Sequence, residues 1–284
     1  MDDGVLRTGY AGLAGSNETG AMALSRRDRQ AFHSHGYLVI RGLAASGRVQ
    51  SLRALAEQHL SAAQPPLELE AALDYPGSPA DQYSEGGDTI RRLLQAYDRD
   101  SAFRDWALEP AVTGVAAALL SGYPLKLTRS HHNCIMTKHP RHSSATLWHQ
   151  DIRYWRFERN NLVTVWLAMG PERRDNGCLW VFPGSHRLEI ARERYDEALF
   201  LRSDHPDNRR LIETAVPVGL EPGDVLFFHS GLIHAAGPNL TPERKLALVF
   251  TYHDSDNHPF PASRSTRWPE IVIESGDGTP RCDQ

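Results

Sequence analysis

The stretch WHQDIRYWRF, Trp148 to Phe157, sets a histidine and an aspartate two residues apart in a run that otherwise has the aromatic character of a strand. Side chains at i and i+2 of a strand project to one face. His149 and Asp151 would therefore offer an imidazole nitrogen and a carboxylate oxygen to one interior point, with Gln150 turned away. Two such donors fill neighbouring corners of an octahedron, and a third must come from elsewhere. Two histidines and one carboxylate leave three positions free, which is the arrangement of non-haem Fe(II) oxygenases. Spacing alone carries little weight in a chain with 14 histidines. A second copy, His205-Pro206-Asp207, lies in SDHPDNRR, where proline and polar neighbours predict a surface turn.

The third ligand is sought downstream, in VLFFHSGLIHAAGPN and the strand after it. His229 sits inside the apolar run and reads equally as a hydrogen-bonded core histidine. His234 lies where the run gives way to Ala235-Ala236-Gly237, small residues that let the backbone approach a bound group. His234 is preferred over His229 and His253. Arg244 opens the next strand, and its planar fork suits a carboxylate. Taken alone, beside Glu243 and Lys245, it reads as well as a surface arginine.

The elements that must position these residues follow from periodicity. SRRDRQAFHSHGYLVIRGL predicts a helix capped by Ser25 and stopped at Gly36, then a strand from Tyr37 to Arg41. A second helix over about Gly47–Ala63 stripes Val49, Leu52, Leu55, Ala56 and Leu60, and further helices are expected over about Asp88–Tyr97 and Asp105–Leu120. From Leu125 the period shifts toward two, giving strands at Leu125–Arg129, Trp148–Phe157, Leu162–Met169, Cys178–Phe182, Val225–His229 and Lys245–His253, with turn residues between them. Short strands after a helical half predict a β-sandwich or jelly roll with helices on its outer face.

Composition excludes several classes. With 31 basic and 35 acidic residues well mixed, no dominant field points to nucleic acid or an anionic membrane. No secretory layout opens the chain and no long apolar run crosses it, so a cytoplasmic protein is expected, acting on a small molecule as a monomer or homodimer. Cys134, Cys178 and Cys282 are too few and too scattered for a disulfide framework or a thiolate metal site.

HQD in WHQDIRYWRF, NGCLWVFPGSHR, GDVLFFHSGLIHAAGPN and the trailing PERK together resemble the phytanoyl-CoA dioxygenase family, Fe(II)/2-oxoglutarate oxygenases that include ectoine hydroxylases. FHSHGYLVIRGL resembles that family's N-terminal strand, so the likeness spans roughly residues 25 to 255. The resemblance implies a mainly β fold with flanking helices around a double-stranded β-helix (jelly-roll, cupin-like) core. It implies a flexible arm over 1–22, one oxygenase domain over 23–262 (helical to about 122, jelly roll over about 123–255) and a tail over 263–284. It further implies Fe(II) on His149, Asp151 and His234, 2-oxoglutarate as cosubstrate with Arg244 on its far carboxylate, and dioxygen. Trp166 matches a tryptophan lining the cosubstrate pocket, with plain core filling as the other reading. His132, Asn133 or Cys134 would face 2-oxoglutarate from the strand before the metal motif.

The retained carboxylate of Asp151 favours hydroxylation or a related oxidation over halogenation, in which relatives carry a small residue there. A regular strand beyond Asp151 would point Arg153, Trp155 and Phe157 inward, against substrate. An inward Arg153 would ask for a carboxylate, phosphonate or phosphate on that substrate, unless it pairs with Glu158 on a solvated face. Leu67–Ser84 and Leu188–Arg210 are long enough for lids. The competing reading is a cupin-like metal or small-ligand binding protein without oxygenase activity.

Overall fold

Ser25 and Gly36 bracket the first helix as their chemistry requires. The Ser25 hydroxyl accepts the Asp28 N–H at 3.1 Å, and Gly36 takes the left-handed conformation (φ 79°) while its own N–H returns to the Phe32 carbonyl. The computed structural model describes residues 24–120, 122–274 and 281–282. Within them the order is α1 (Arg26–His35), β1 (Tyr37–Ile40), α2 (Ser46–Ser61), β2 (Leu67–Leu69), β3 (Ile90–Leu94), α3 (Ala96–Arg99), α4 (Ser101–Ala107), α5 (Pro110–Leu119), β4 (Leu125–Lys138), β5 (Thr146–His149), β6 (Leu162–Ala168), β7 (Leu179–Val181), α6 (Pro206–Ile212), β8 (Val216–Val218), β9 (Val225–His229), β10 (His234–Ala236), β11 (Lys245–Asp254), β12 (Ile271–Ile273) and β13 (Arg281–Cys282).

Two antiparallel sheets face each other as a jelly roll. The larger runs β1-β9-β6-β11-β4-β12-β13, with β3 also on β4 and β2 on β3; the smaller runs β5-β10-β7-β8. Alternation along the central strands divides the core in two. Val163, Val165 and Leu167 of β6, with Leu246, Leu248 and Phe250 of β11, pack outward against the helices. Trp166 and Ala168 of β6, with Ala247 and Val249 of β11, pack inward against Leu179, Val181 and Val218 of the smaller sheet. Each fully buried aliphatic or aromatic side chain contributes roughly 1.5–3 kcal/mol of transfer free energy. No described helix is long and apolar enough to cross a membrane.

Several expectations need correction. Asp88–Tyr97 is strand β3 plus the short α3, because Ile90–Leu94 is claimed by β4 as a sheet neighbour. The helix expected over Asp105–Leu120 is split into α4 and α5 by Pro110 at the start of the second. His205-Pro206-Asp207 is the N-terminus of α6, with the His205 ring accepting the Asp207 N–H. The helical half lends β1, β2 and β3 to the larger sheet, and β12 pairs with β4, so the sheet extends past residue 262 into the expected tail. The arm expected over 1–22 lies outside the described residues.

Candidate functional site

His149 ends β5 and stands in register with His234, the first residue of β10, so both imidazoles occupy one pleat face with ring centroids 4.2 Å apart. Asp151 does not share their strand. Gln150 is still extended, but Asp151 opens a 3-10 turn, Asp151–Arg153, locked down by Ile152 N–H to the Ser230 carbonyl (3.0 Å) and Gln150 Nε2 to the Gly231 carbonyl (2.6 Å). The turn swings the carboxylate back over the histidines: Asp151 Oδ1 lies 3.6 Å from His149 Nε2 and 3.8 Å from His234 Nε2. Among the described residues this is the one group of histidine and carboxylate ligands whose donor atoms all lie within 4.8 Å of one another.

The protonation pattern follows from the partners. His149 Nδ1 is 2.8 Å from the Leu147 carbonyl and His234 Nδ1 is 3.0 Å from the Leu232 carbonyl. A carbonyl only accepts, so each Nδ1 donates and each Nε2 presents a lone pair toward Asp151. Burial pushes His234 down to about 4, which keeps it neutral at neutral pH. Burial pushes Asp151 up, but the imidazoles of His132, His234 and His149 outweigh it and hold the carboxyl ionised, below the usual range. Asp151 Oδ2 is buried without a hydrogen-bond partner, the His132 Nδ1 at 3.6 Å being too distant. Two bare nitrogens and a half-unsatisfied buried carboxylate converge on one point, and a divalent cation there satisfies all three. The residues present therefore fit a metal on one face of its coordination sphere.

Of the three candidates for the third ligand, only His234 reaches this point. His229 Nδ1 accepts the Gly231 N–H at 2.9 Å, and His253 is fully buried against Glu270 at 2.7 Å. His132 is at the site, beside Asp151, on a four-residue bulge of β4 that separates the pairs Asn133–Phe250 and Thr128–Thr251. Asn133 faces the helices instead, accepting the Tyr97 N–H at 2.8 Å, and buried Cys134 does not reach the cavity wall.

The 3-10 turn also redirects the residues after Asp151, so the regular inward strand is corrected. Arg153 stacks on Tyr195 (3.5 Å to the ring centroid) and donates to Gln150 Oε1 and the Ile190 carbonyl, away from the cavity and without Glu158. Trp155 stacks on His131 at 4.8 Å, and Phe157 packs on His131 and His253. None of the three lines the cavity. In this position Arg153 asks for no anionic group on a substrate.

Arg244 requires the largest correction. Its guanidinium donates to Glu57 of α2 at 2.7 Å, on the helix side of the larger sheet. Lys245 takes the inward place, because it shares the parity of Ala247 and Val249 whereas Arg244 shares that of Leu246 and Leu248. The cavity beside the candidate ligands encloses about 730 Å³ including its open mouth, and its wall holds Trp166, Arg91, Arg92, Lys138 and Lys245 with His149 and His234. Trp166 has a polar task besides filling space: its Nε1 donates to buried Glu172 at 2.7 Å. Glu172 also accepts from Lys245 Nζ at 3.0 Å. Lys138, Lys245 and Glu172 were not singled out from the sequence. For the two lysines the signal was a charge at the inward parity of an otherwise apolar strand, as in CIMTK and KLALVF, whereas Glu172 lies between strands and carried no such signal. The two loops read as lids meet beside the cavity, with Tyr75, which lines it, against Phe200 and Phe200 against His149 (5.4 and 5.9 Å between ring centroids).

Comparison with known proteins agrees with this fold. The family model described as phytanoyl-CoA dioxygenase (PhyH) matches residues 32–247. A probable phytanoyl-CoA dioxygenase of Caenorhabditis elegans is 27% identical over 246 residues, covering 82% of this chain and 76% of that protein. Among solved structures, the non-heme alpha ketoglutarate dependent carbocyclase SnoK from nogalamycin biosynthesis superposes with a TM-score of 0.66 at 25% identity, over 84% of this chain and 87% of its own. EctD from S. alaskensis with bound Fe superposes with a TM-score of 0.70 at 20% identity, over 86% and 84%.

Proposed function

This chain belongs to the phytanoyl-CoA dioxygenase family, and on that premise we propose that it is a non-haem Fe(II)- and 2-oxoglutarate-dependent oxygenase that hydroxylates a C–H bond of a small organic molecule. The observation that carries the reading is the convergence of His149, Asp151 and His234, with the orphaned Asp151 Oδ2, beside a cavity whose wall holds both histidines.

With Fe(II), 2-oxoglutarate and dioxygen bound, such a centre supplies oxidative decarboxylation of the keto acid to succinate and carbon dioxide, coupled to oxidation of a substrate C–H bond. The protein's own share is geometric and electrostatic. His149 and His234 would hold the metal through Nε2, each ring fixed by its Nδ1–H to a carbonyl two residues earlier in the chain. Asp151 would supply the third protein ligand through its carboxylate. Phe228 packs edge-on against His234 at 5.1 Å and shields that side of the ring from water. Tyr75 and Phe200 close the outer side and would border the substrate. An intact Asp151 occupies the place that a halide ligand would need, which supports hydroxylation.

The test is anaerobic addition of Fe(II) and 2-oxoglutarate. A weak visible charge-transfer band is expected for the chelated iron, and alanine at Asp151 abolishes it. Substrate panels of acyl-CoA, amino-acid-like and phosphonate compounds should then yield substrate-dependent succinate. A chain that binds metal but gives neither band nor succinate is a binding protein, and the reading fails.

A further inference from the structure

Gln150 stands between two of the candidate ligands and is 6% exposed. Its carboxamide has a single allowed orientation. Nε2 donates to the Gly231 carbonyl at 2.6 Å, and Oε1 accepts from Arg153 Nε and from the Tyr195 hydroxyl, each at 2.9 Å. A guanidinium only donates and a carbonyl only accepts. Turning the amide over would set donor against donor at one end and acceptor against acceptor at the other. The groups tied together in this way lead to all three candidate ligands. Gln150 follows His149, Arg153 closes the turn that Asp151 opens, and Gly231 lies three residues before His234.

Tyr195 is the member that brings no ligand with it. It belongs to the loop between β7 and α6, 45 residues along the chain from Gln150. That loop is fastened on both sides of the motif. The Leu201 N–H donates to the Trp148 carbonyl at 2.8 Å, and the Tyr154 hydroxyl donates to the Ala198 carbonyl at 2.7 Å. The Tyr195 ring is itself held, with the Arg153 guanidinium 3.5 Å from its centroid and Phe182, Leu201 and Ile233 in its buried cluster. Burial raises its phenol above the ordinary value, opposed by Arg153, so the hydroxyl keeps its proton and donates. A phenylalanine would fill the same space, and the hydroxyl at this 3% exposed position is spent on one carboxamide.

Resting on the metal site of the oxygenase reading above, we propose that Tyr195 is a positioning residue for the metal centre. With Arg153 it fixes the Gln150 carboxamide, and through that carboxamide it sets the angle of the Asp151 turn against the loop that leads to His234. Groups that orient metal ligands in this way typically contribute about 10- to 100-fold to metal affinity.

The test is titration of the metal-free full chain with Co(II), read by calorimetry and by the visible d–d band of the bound ion. Tyr195→Phe keeps the ring and its packing and removes only the oxygen. It should weaken Co(II) binding about ten-fold and shift the d–d band. Arg153→Met should do the same, so either variant decides if the other does not fold. In a Gln150→Met background, Tyr195→Phe should cause no further loss, because a residue that acts through Gln150 then has nothing to act through. Tyr252→Phe is the control for a purely structural loss. Its hydroxyl makes a buried bond to the Ala107 carbonyl at 2.6 Å, on the helix side of the larger sheet, and its removal should change neither affinity nor band.

A Tyr195→Phe protein with wild-type affinity and an unshifted band, a loss that recurs in full in the Gln150→Met background, or an equal loss from Tyr252→Phe would each overturn the proposal while the oxygenase reading stands. Wild type that binds no Co(II) overturns both.

Discussion

Replacing Glu172 by glutamine tests whether the buried charge at the cavity wall is a structural pair. Both Glu172 oxygens are engaged, Oε1 by Trp166 Nε1 at 2.7 Å and Oε2 by Lys245 Nζ at 3.0 Å, and the two charged side chains are 0% and 4% exposed. A glutamine of the same shape has one acceptor and one donor end, so it satisfies either the indole or the ammonium and turns an N–H toward the other. Removing one partner of a buried pair costs about 3–5 kcal/mol, most of it for the charge left behind. Solvent screening gives no relief at this burial. For a domain of this size that loss is a fall of roughly 5–8 °C in melting temperature. The assay is urea unfolding of metal-free, ligand-free protein, for wild type, Glu172→Gln, Lys245→Met and the double variant. The double variant should recover at least about 2 kcal/mol relative to the sum of the single losses, because no charge is then stranded. Single variants within about 1 kcal/mol of wild type, or losses that simply add, would refute the account of Lys245 and Glu172 as one unit.

Lys138 makes ligand-free stability depend on pH. Its folded value of about 7 lies below the ordinary 10.5, so the unfolded chain binds more protons between the two and stability rises with pH across that window. The gain from pH 7 to pH 9 is about 2 kcal/mol, read as a rise in wild-type melting temperature relative to Lys138→Met, and parallel profiles would contradict it. Arg244→Ala breaks a pair whose side chains are 31% and 35% exposed, so unfolding experiments should show a loss of no more than about 1 kcal/mol. Gly177→Ala meets both a left-handed backbone (φ 77°) and the Gly237 carbonyl, so it should cost at least about 1 kcal/mol by thermal melt.

Local chemistry was legible wherever a residue's immediate neighbours decide its state. Ser25 and Gly36 announced the ends of α1, and the alternation of LVTVWLAM and KLALVFTYH announced the two central strands. The pairing of His149 with Asp151 and the preference for His234 were also readable, since residue type, spacing and the small residues after His234 all lie within short stretches of chain. Strand alternation is not what pairs His149 with Asp151. The two share a site because a 3-10 turn folds Asp151 back, and that turn exists because Ser230 and Gly231, some eighty residues on, accept its hydrogen bonds.

Parity across distant strands was likewise beyond the linear text. Whether Arg244 or Lys245 faces inward depends on the register of β11 with β4 and β6, and one residue of slip exchanges the two faces. Asn133 and Cys134 left the site for a similar reason, with a bulge in β4 presenting His132 to Asp151 while Asn133 turns to the helices. Sequence alone determined which residue types were available and which local elements they favoured. Only the tertiary structure decided which charges are buried together, because that depends on hydrogen bonds and strand registers between segments far apart in the chain.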